Sequence, residues 1–125
     1  MTEMPTSSLP TQIRLNQHLV RWDQEIKAFD AHLTEYGARK ADLEHRRAVM
    51  RARARHDDPK ITGTKLDDFV EADENVYQLH VQYRAAEANL EATRARLKWF
   101  QAVADALRSQ VSTERGERAL YADHG

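Results

Sequence analysis

Between Phe69 and Val111 the apolar residues fall at steps of three and four without a slip. They are Phe69, Ala72, Val76, Leu79, Tyr83, Ala86, Leu90, Thr93, Leu97, Phe100, Ala104, Leu107 and Val111, with Thr93 the one polar member. This is heptad spacing, which keeps one side of a helix turned toward a partner helix. The same stretch carries a second stripe on roughly the opposite side: Val81, Ala85, Ala88, Ala92, Ala95, Trp99, Ala102 and Ala106. A helix that is apolar on two faces is normally buried on both. One stripe is therefore expected to meet the rest of the chain and the other a second partner. Alanine is also the best helix former, so exposed alanines can reflect propensity alone, but unbroken heptad spacing that includes Val81 and Trp99 favours association.

An earlier seam gives the first stripe its partner. Leu15, Leu19, Trp22, Ile26, Phe29, Leu33, Tyr36, Lys40, Leu43, Arg47, Met50 and Ala54 repeat the same steps, with Lys40 and Arg47 as charged members whose stems can cover the seam while their heads stay in water. The two seams are separated by His56–Gly63, where Pro59 and Gly63 break the pattern and mark a turn. Around that turn, facing residues of an antiparallel pair keep a constant sum of residue numbers. Leu15 with Leu107, Trp22 with Phe100, Tyr36 with Ala86 and Leu43 with Leu79 all obey one such sum. Several of these layers set a large side chain against a small one, as interdigitated packing requires.

The expected fold is all-α: a long antiparallel two-helix coiled-coil hairpin that assembles into a homo-oligomer. Residues 1–8 form a disordered lead, with Ser8 as a helix cap and Pro10 in the first turn. The hairpin covers residues 9–115, with helix 1 over about 9–55, the turn over 56–64 and helix 2 over about 65–112. Thr64 and Asp67 resemble a capping box at the start of helix 2. Gly37 marks a kink or short break in helix 1, Gly116 ends or frays helix 2, and residues 116–125 are a loose tail.

Composition narrows the function. The 125 residues suit one domain, with aromatics at 7% and charged residues at 31%, a balance that fits long helices better than a thick globular core. A net charge of −1 gives no global field for nucleic acid. The absence of Cys excludes a disulfide scaffold and fits a cytoplasmic protein (host cytoplasm if phage-encoded). No apolar run is long enough to span a bilayer, and the start lacks the features of a secretion signal. The six histidines have no metal-ligand spacing, and there is no glycine-rich phosphate loop or nucleophile motif. Asp67 and Asp68 read as helix-start charges rather than acid/base machinery. The reading is a non-enzyme with no catalytic residue, metal, cofactor, small-molecule substrate or membrane partner.

The charge pattern holds the one candidate binding site. Residues 39–55 contain Arg39, Lys40, Arg46, Arg47, Arg51, Arg53 and Arg55 against Asp42 and Glu44. Arg46, Arg47, Arg51, Arg53 and Arg55 are the candidates for phosphate contacts. Residues 57–74 carry Asp57, Asp58, Asp67, Asp68, Glu71, Asp73 and Glu74, which a hairpin brings beside the basic run. Internal pairing and anion binding are both open for these arginines. The seam aromatics Trp22, Phe29, Tyr36 and Phe100 read as core rather than as a stacking platform, whereas Trp99, on the second stripe, reads as an interface anchor.

Residues 46–98 resemble the recombination mediators of tailed phages, the UvsY-type proteins, and more broadly the small helical-hairpin proteins of phage early regions. The resemblance rests on the basic run Val49–Arg53 (VMRAR), the polar turn with Gly63, and Lys65–Val76 (KLDDFVEADENV), and it covers about half of the chain. It implies a ring-like homo-oligomer that binds single-stranded DNA and helps load a RecA-like recombinase, with DNA contacts on Arg51 and Arg53. The competing reading is a non-enzymatic coiled-coil adaptor, assembly factor or host-protein inhibitor that binds no nucleic acid. The secreted WXG-type hairpins of actinobacteria are disfavoured, because the turn HDDPKITG has no Trp-x-Gly.

Overall fold

A computed structural model describes residues 10–124, and every regular element within them is a helix. α1 is Pro10–Asp57, α2 is Gly63–Glu71 and α3 is Glu74–His124. None is long and apolar enough to cross a membrane. The expected lead over residues 1–8 and its Ser8 cap lie outside the described residues.

Pro10 opens α1, where its missing N–H leaves no bond unmade. The helix then runs through Gly37 without interruption, so the expected break there is absent. It ends at Asp57 because Pro59 disfavours helical geometry at the residue before it, Asp58. Asp58 organises the turn instead. Its N–H closes on Ala54 O at 2.8 Å, its carbonyl accepts Ile61 N–H at 3.0 Å, and its side chain accepts Lys60 N–H at 3.2 Å.

The single helix expected over 65–112 is two helices. α2 ends at Glu71, and α3 begins at Glu74. The break is built by Asp73, whose Oδ2 accepts the Val76 N–H at 3.0 Å while its carbonyl accepts the Tyr77 N–H at 3.0 Å. That is an N-cap, and a capping carboxylate competes with the preceding helix for backbone donors. Nor does the expected Thr64–Asp67 capping box start α2. The cap residue is Thr62, in extended geometry and without a side-chain cap bond, followed by Gly63 at φ +60°, a conformation open to glycine. At the other end, Gly116 does not stop α3, and residues 116–124 are helical rather than a loose tail. A lone glycine weakens a helix by only about 1 kcal/mol.

Packing divides the chain into two units. The central unit, Phe29–Ala92, has a core of Leu43, Met50, Ala54, Leu66, Val70 and Val76, with Ile61, Leu79 and Tyr83 packed against it. Leu66 and Val70, rather than the expected Phe69 and Ala72, are the buried residues of α2, because the break at Ala72–Asp73 resets the phase of the stripe. From Val76 onward the first stripe lies inside as expected. Val76, Ala86, Leu90, Thr93, Ala104, Leu107 and Val111 are buried, and Leu79, Tyr83, Leu97 and Phe100 are half-buried.

The terminal unit combines the described residues up to Ala28 with those from Thr93 onward. Leu15, Leu107 and Val111 form its core, flanked by Leu19 and Val103. Polar contacts flank that core. Thr11 donates to Glu114 at 2.7 Å, Arg115 to Gln12 at 3.1 Å, and Arg96 to Glu25 at 2.6 Å. The His18 Nε2–H donates to the Phe100 carbonyl at 2.7 Å, and its ring lies 5.0 Å from that of Phe100 and 5.6 Å from that of Trp99. Thr11 and His18 are buried although neither belonged to the expected seam.

Candidate nucleic-acid interface

The five candidate arginines lie on α1, and their surroundings split them into two groups. Arg46 is clamped by Asp73, with Nε at 2.9 Å from Oδ2 and Nη2 at 3.0 Å from Oδ1. A planar guanidinium matches a carboxylate in this two-bond geometry. The hydrogen bonds from Arg46 hold the Asp73 carboxyl below its usual range, against the opposing effect of burial and with help from the Val76 N–H and the charges of Arg46 and Arg53. The same bonds raise the Arg46 guanidinium further. Arg47 is held in the same way by Glu71, at 2.9 and 3.3 Å. Both arginines are therefore engaged by the acidic residues that flank the α2–α3 break.

Arg51, Arg53 and Arg55 differ. All three are exposed, and among the described residues no carboxylate lies within 4.0 Å of any of them. Arg53 folds its guanidinium toward the Met50 sulfur, 3.9 Å away. Arg51 and Arg55 are four residues apart and so share one side of α1. Further along α1, Arg39 is tied to Glu35 and Gln82. The exposed cationic cluster is thus the last stretch of α1, beside the turn.

Next to this cluster is a groove of about 610 Å³. Val49, Met50, Ala52 and Phe69 supply its apolar surface, and Arg53, His56 and Asp57 its polar surface. Phe69, expected at the seam, is 39% exposed here. Nothing in the heptad pattern announced this groove. The break at Ala72–Asp73 creates it, and the signal for that break was Asp73 three residues before Val76.

The second stripe is exposed along its whole length. Val81, Ala85, Ala88 and Ala92 belong to the central unit, Ala95, Trp99, Ala102 and Ala106 to the terminal unit, and none is covered. Trp99 is 58% exposed, with one edge resting on Phe100 at a ring separation of 5.1 Å.

One more polar group stands apart from the arginines. The Tyr36 and Tyr83 hydroxyls are 3.2 Å apart, and Tyr83 also donates to Glu87 at 3.4 Å. The Tyr83 phenol is pushed up to about 12 by the bond to Tyr36, by burial and by the nearby Glu87. A phenol held neutral in this way is a packing element of the central unit. No protein-family model, curated protein or solved structure matches the chain.

Proposed function

We propose that the chain is a non-enzymatic, self-assembling helical hairpin that binds single-stranded DNA through Arg51, Arg53 and Arg55 and helps load a RecA-like recombinase. The observation that carries this reading is the division of the arginine run. Arg46 and Arg47 are neutralised by Asp73 and Glu71, while the three arginines nearest the turn keep their charge exposed. An arginine that no carboxylate clamps can bind a phosphate without breaking an ion pair.

Pairings within each unit support the antiparallel hairpin. Partner numbers fall as positions rise along α1, from Thr11–Glu114 to Glu25–Arg96 in the terminal unit and from Tyr36–Tyr83 to Arg46–Asp73, the cap of α3, in the central unit. The exposed stripe on α3 supports self-assembly, since alanines let helices approach closely. Asp57 and Asp58 leave one chain with only a modest positive field. An assembly repeats the arginine cluster, and repetition turns weak contacts into useful avidity.

The test is binding of labelled single-stranded DNA across a salt series. Affinity should fall steeply, with each neutralised phosphate adding about 0.7 to the log–log slope. Arg51→Glu combined with Arg53→Glu should abolish binding while helicity stays at the wild-type level. Ala92→Arg should give smaller particles in light scattering and weaker binding. Failure of the wild-type assembly to bind at about 50 mM salt, where phosphate contacts are strongest, overturns the DNA reading and leaves the adaptor in its place.

A further inference from the structure

We infer that the groove beside Arg53 is a base-binding subsite, in which an unpaired nucleobase stacks on Phe69 while its phosphate is held by Arg53. This rests on the DNA-binding reading and gives it strand selectivity.

Three observations lead here. Phe69 is a large aromatic residue left 39% exposed beside a tightly packed core. The phase reset at Ala72–Asp73 puts its neighbours Leu66 and Val70 into that core and leaves the ring lining the groove. Second, the groove offers Val49 and Met50 as apolar walls around the ring, and its size is in the range of small-ligand sites. Third, its cationic edge is exposed and held by no ion pair, although the Arg53 charge also reaches Asp73. Among the described residues Arg53 has no carboxylate within 4.0 Å, whereas Arg51 and Arg55 do not line the groove. Among the described residues Asp57 is the one acidic group lining the groove, opposed there by Arg53 and His56.

An aromatic platform beside an exposed guanidinium has the chemistry of a single strand, with a flat apolar base and an adjoining anion. Base stacking on an aromatic side chain is tolerant of sequence because every base has a π-face. In a duplex the faces are already stacked on neighbouring bases, so the subsite favours an unpaired strand. Phosphate contacts alone would not discriminate in this way.

The experiment compares wild-type affinity for oligothymidylate with affinity for an abasic oligonucleotide of equal length and charge. The expected result is at least a roughly fivefold preference for the strand with bases, the low end of what one stacked base contributes. Phe69→Leu keeps an apolar side chain, so folding is preserved, and should remove the preference while leaving abasic binding unchanged. Phe69→Tyr should retain it. Equal affinity of the wild type for the two strands overturns the subsite and leaves the phosphate reading intact. Failure to bind either strand overturns both. Loss of self-association in Phe69→Leu with the preference for bases retained assigns the groove to a second copy of the chain and also overturns the subsite.

Discussion

Leu43→Ala and Leu33→Ala form a discriminating pair, because heptad spacing treats the two leucines alike and their surroundings do not. Leu43 is 2% exposed and sits in the core with Met50, Ala54, Leu66, Val70 and Val76. Leu33 is 46% exposed. Truncating a leucine to alanine removes three carbons, each contributing about 0.8 kcal/mol when buried. At Leu43 that is about 2.4 kcal/mol, and the cavity left in a close-packed core raises the loss to about 3 kcal/mol. At Leu33 about half of the transfer free energy is at stake and water fills the space, so the loss is about 1 kcal/mol. For a chain of this size, about 1 kcal/mol corresponds to about 4 °C in Tm. Thermal unfolding followed by circular dichroism should then show a drop of about 12 °C for Leu43→Ala and about 4 °C for Leu33→Ala. Equal losses would refute the reasoning, since they would mean that Leu33 is as fully covered as Leu43.

The glycines and the Asp73 cap give two further tests. Gly37 is helical, and a methyl group added there would meet nothing within 4 Å, so Gly37→Ala should stabilise the chain by about 1 kcal/mol. Gly63→Ala should destabilise it, because Gly63 adopts φ +60°. Urea midpoints decide both, and a destabilising Gly37→Ala would mean that α1 is broken there. Asp73 has a carboxyl pKa lowered in the folded chain, so its contribution is complete above the ordinary carboxylate range and is lost as pH falls through the lowered value. Wild type should therefore exceed Asp73→Asn in stability at neutral pH, and the gap should close in acid. A gap that stays constant down to about pH 2 would exclude the Asp73 carboxylate as its source.

Much of the architecture was legible because helix periodicity is a local signal. The first stripe from Val76 to Val111 is buried or half-buried at each position. On α1 the seam splits into two rows. Leu15, Trp22, Phe29, Tyr36, Leu43 and Met50 are all buried or half-buried. The alternate row, Leu19, Ile26, Leu33, Lys40, Arg47 and Ala54, includes the exposed Ile26, Leu33 and Lys40. One partner helix covers only a narrow strip, so the second row lies at its edge. That explains how Lys40 and Arg47 occupy seam positions without burying a charge. Periodicity gives the direction of a face but not the width of its cover. It also missed Thr11 and His18, which are buried with polar partners on α3, Glu114 and the Phe100 carbonyl.

The candidate site was harder to read, because a single side chain decides it. Asp73 looked like one more acid in a helix-start cluster. In the folded chain it caps α3, ends the preceding helical segment and grips Arg46 with both oxygens. The cap holds the carboxylate at the helix N-terminus, the break frees Phe69 from the seam, and the grip on Arg46 leaves the later arginines as the exposed charge. From the sequence, internal pairing and anion binding stood open for the whole run. The ion pairs divide by position: Arg46 and Arg47 are held by carboxylates at the α2–α3 break, whereas Arg51, Arg53 and Arg55 form none among the described residues, although the Arg53 charge still reaches Asp73. Charge counting cannot make that division, because Asp57 and Asp58 are nearer in sequence to Arg53 and Arg55 than Asp73 is to Arg46, yet they form no ion pair with them.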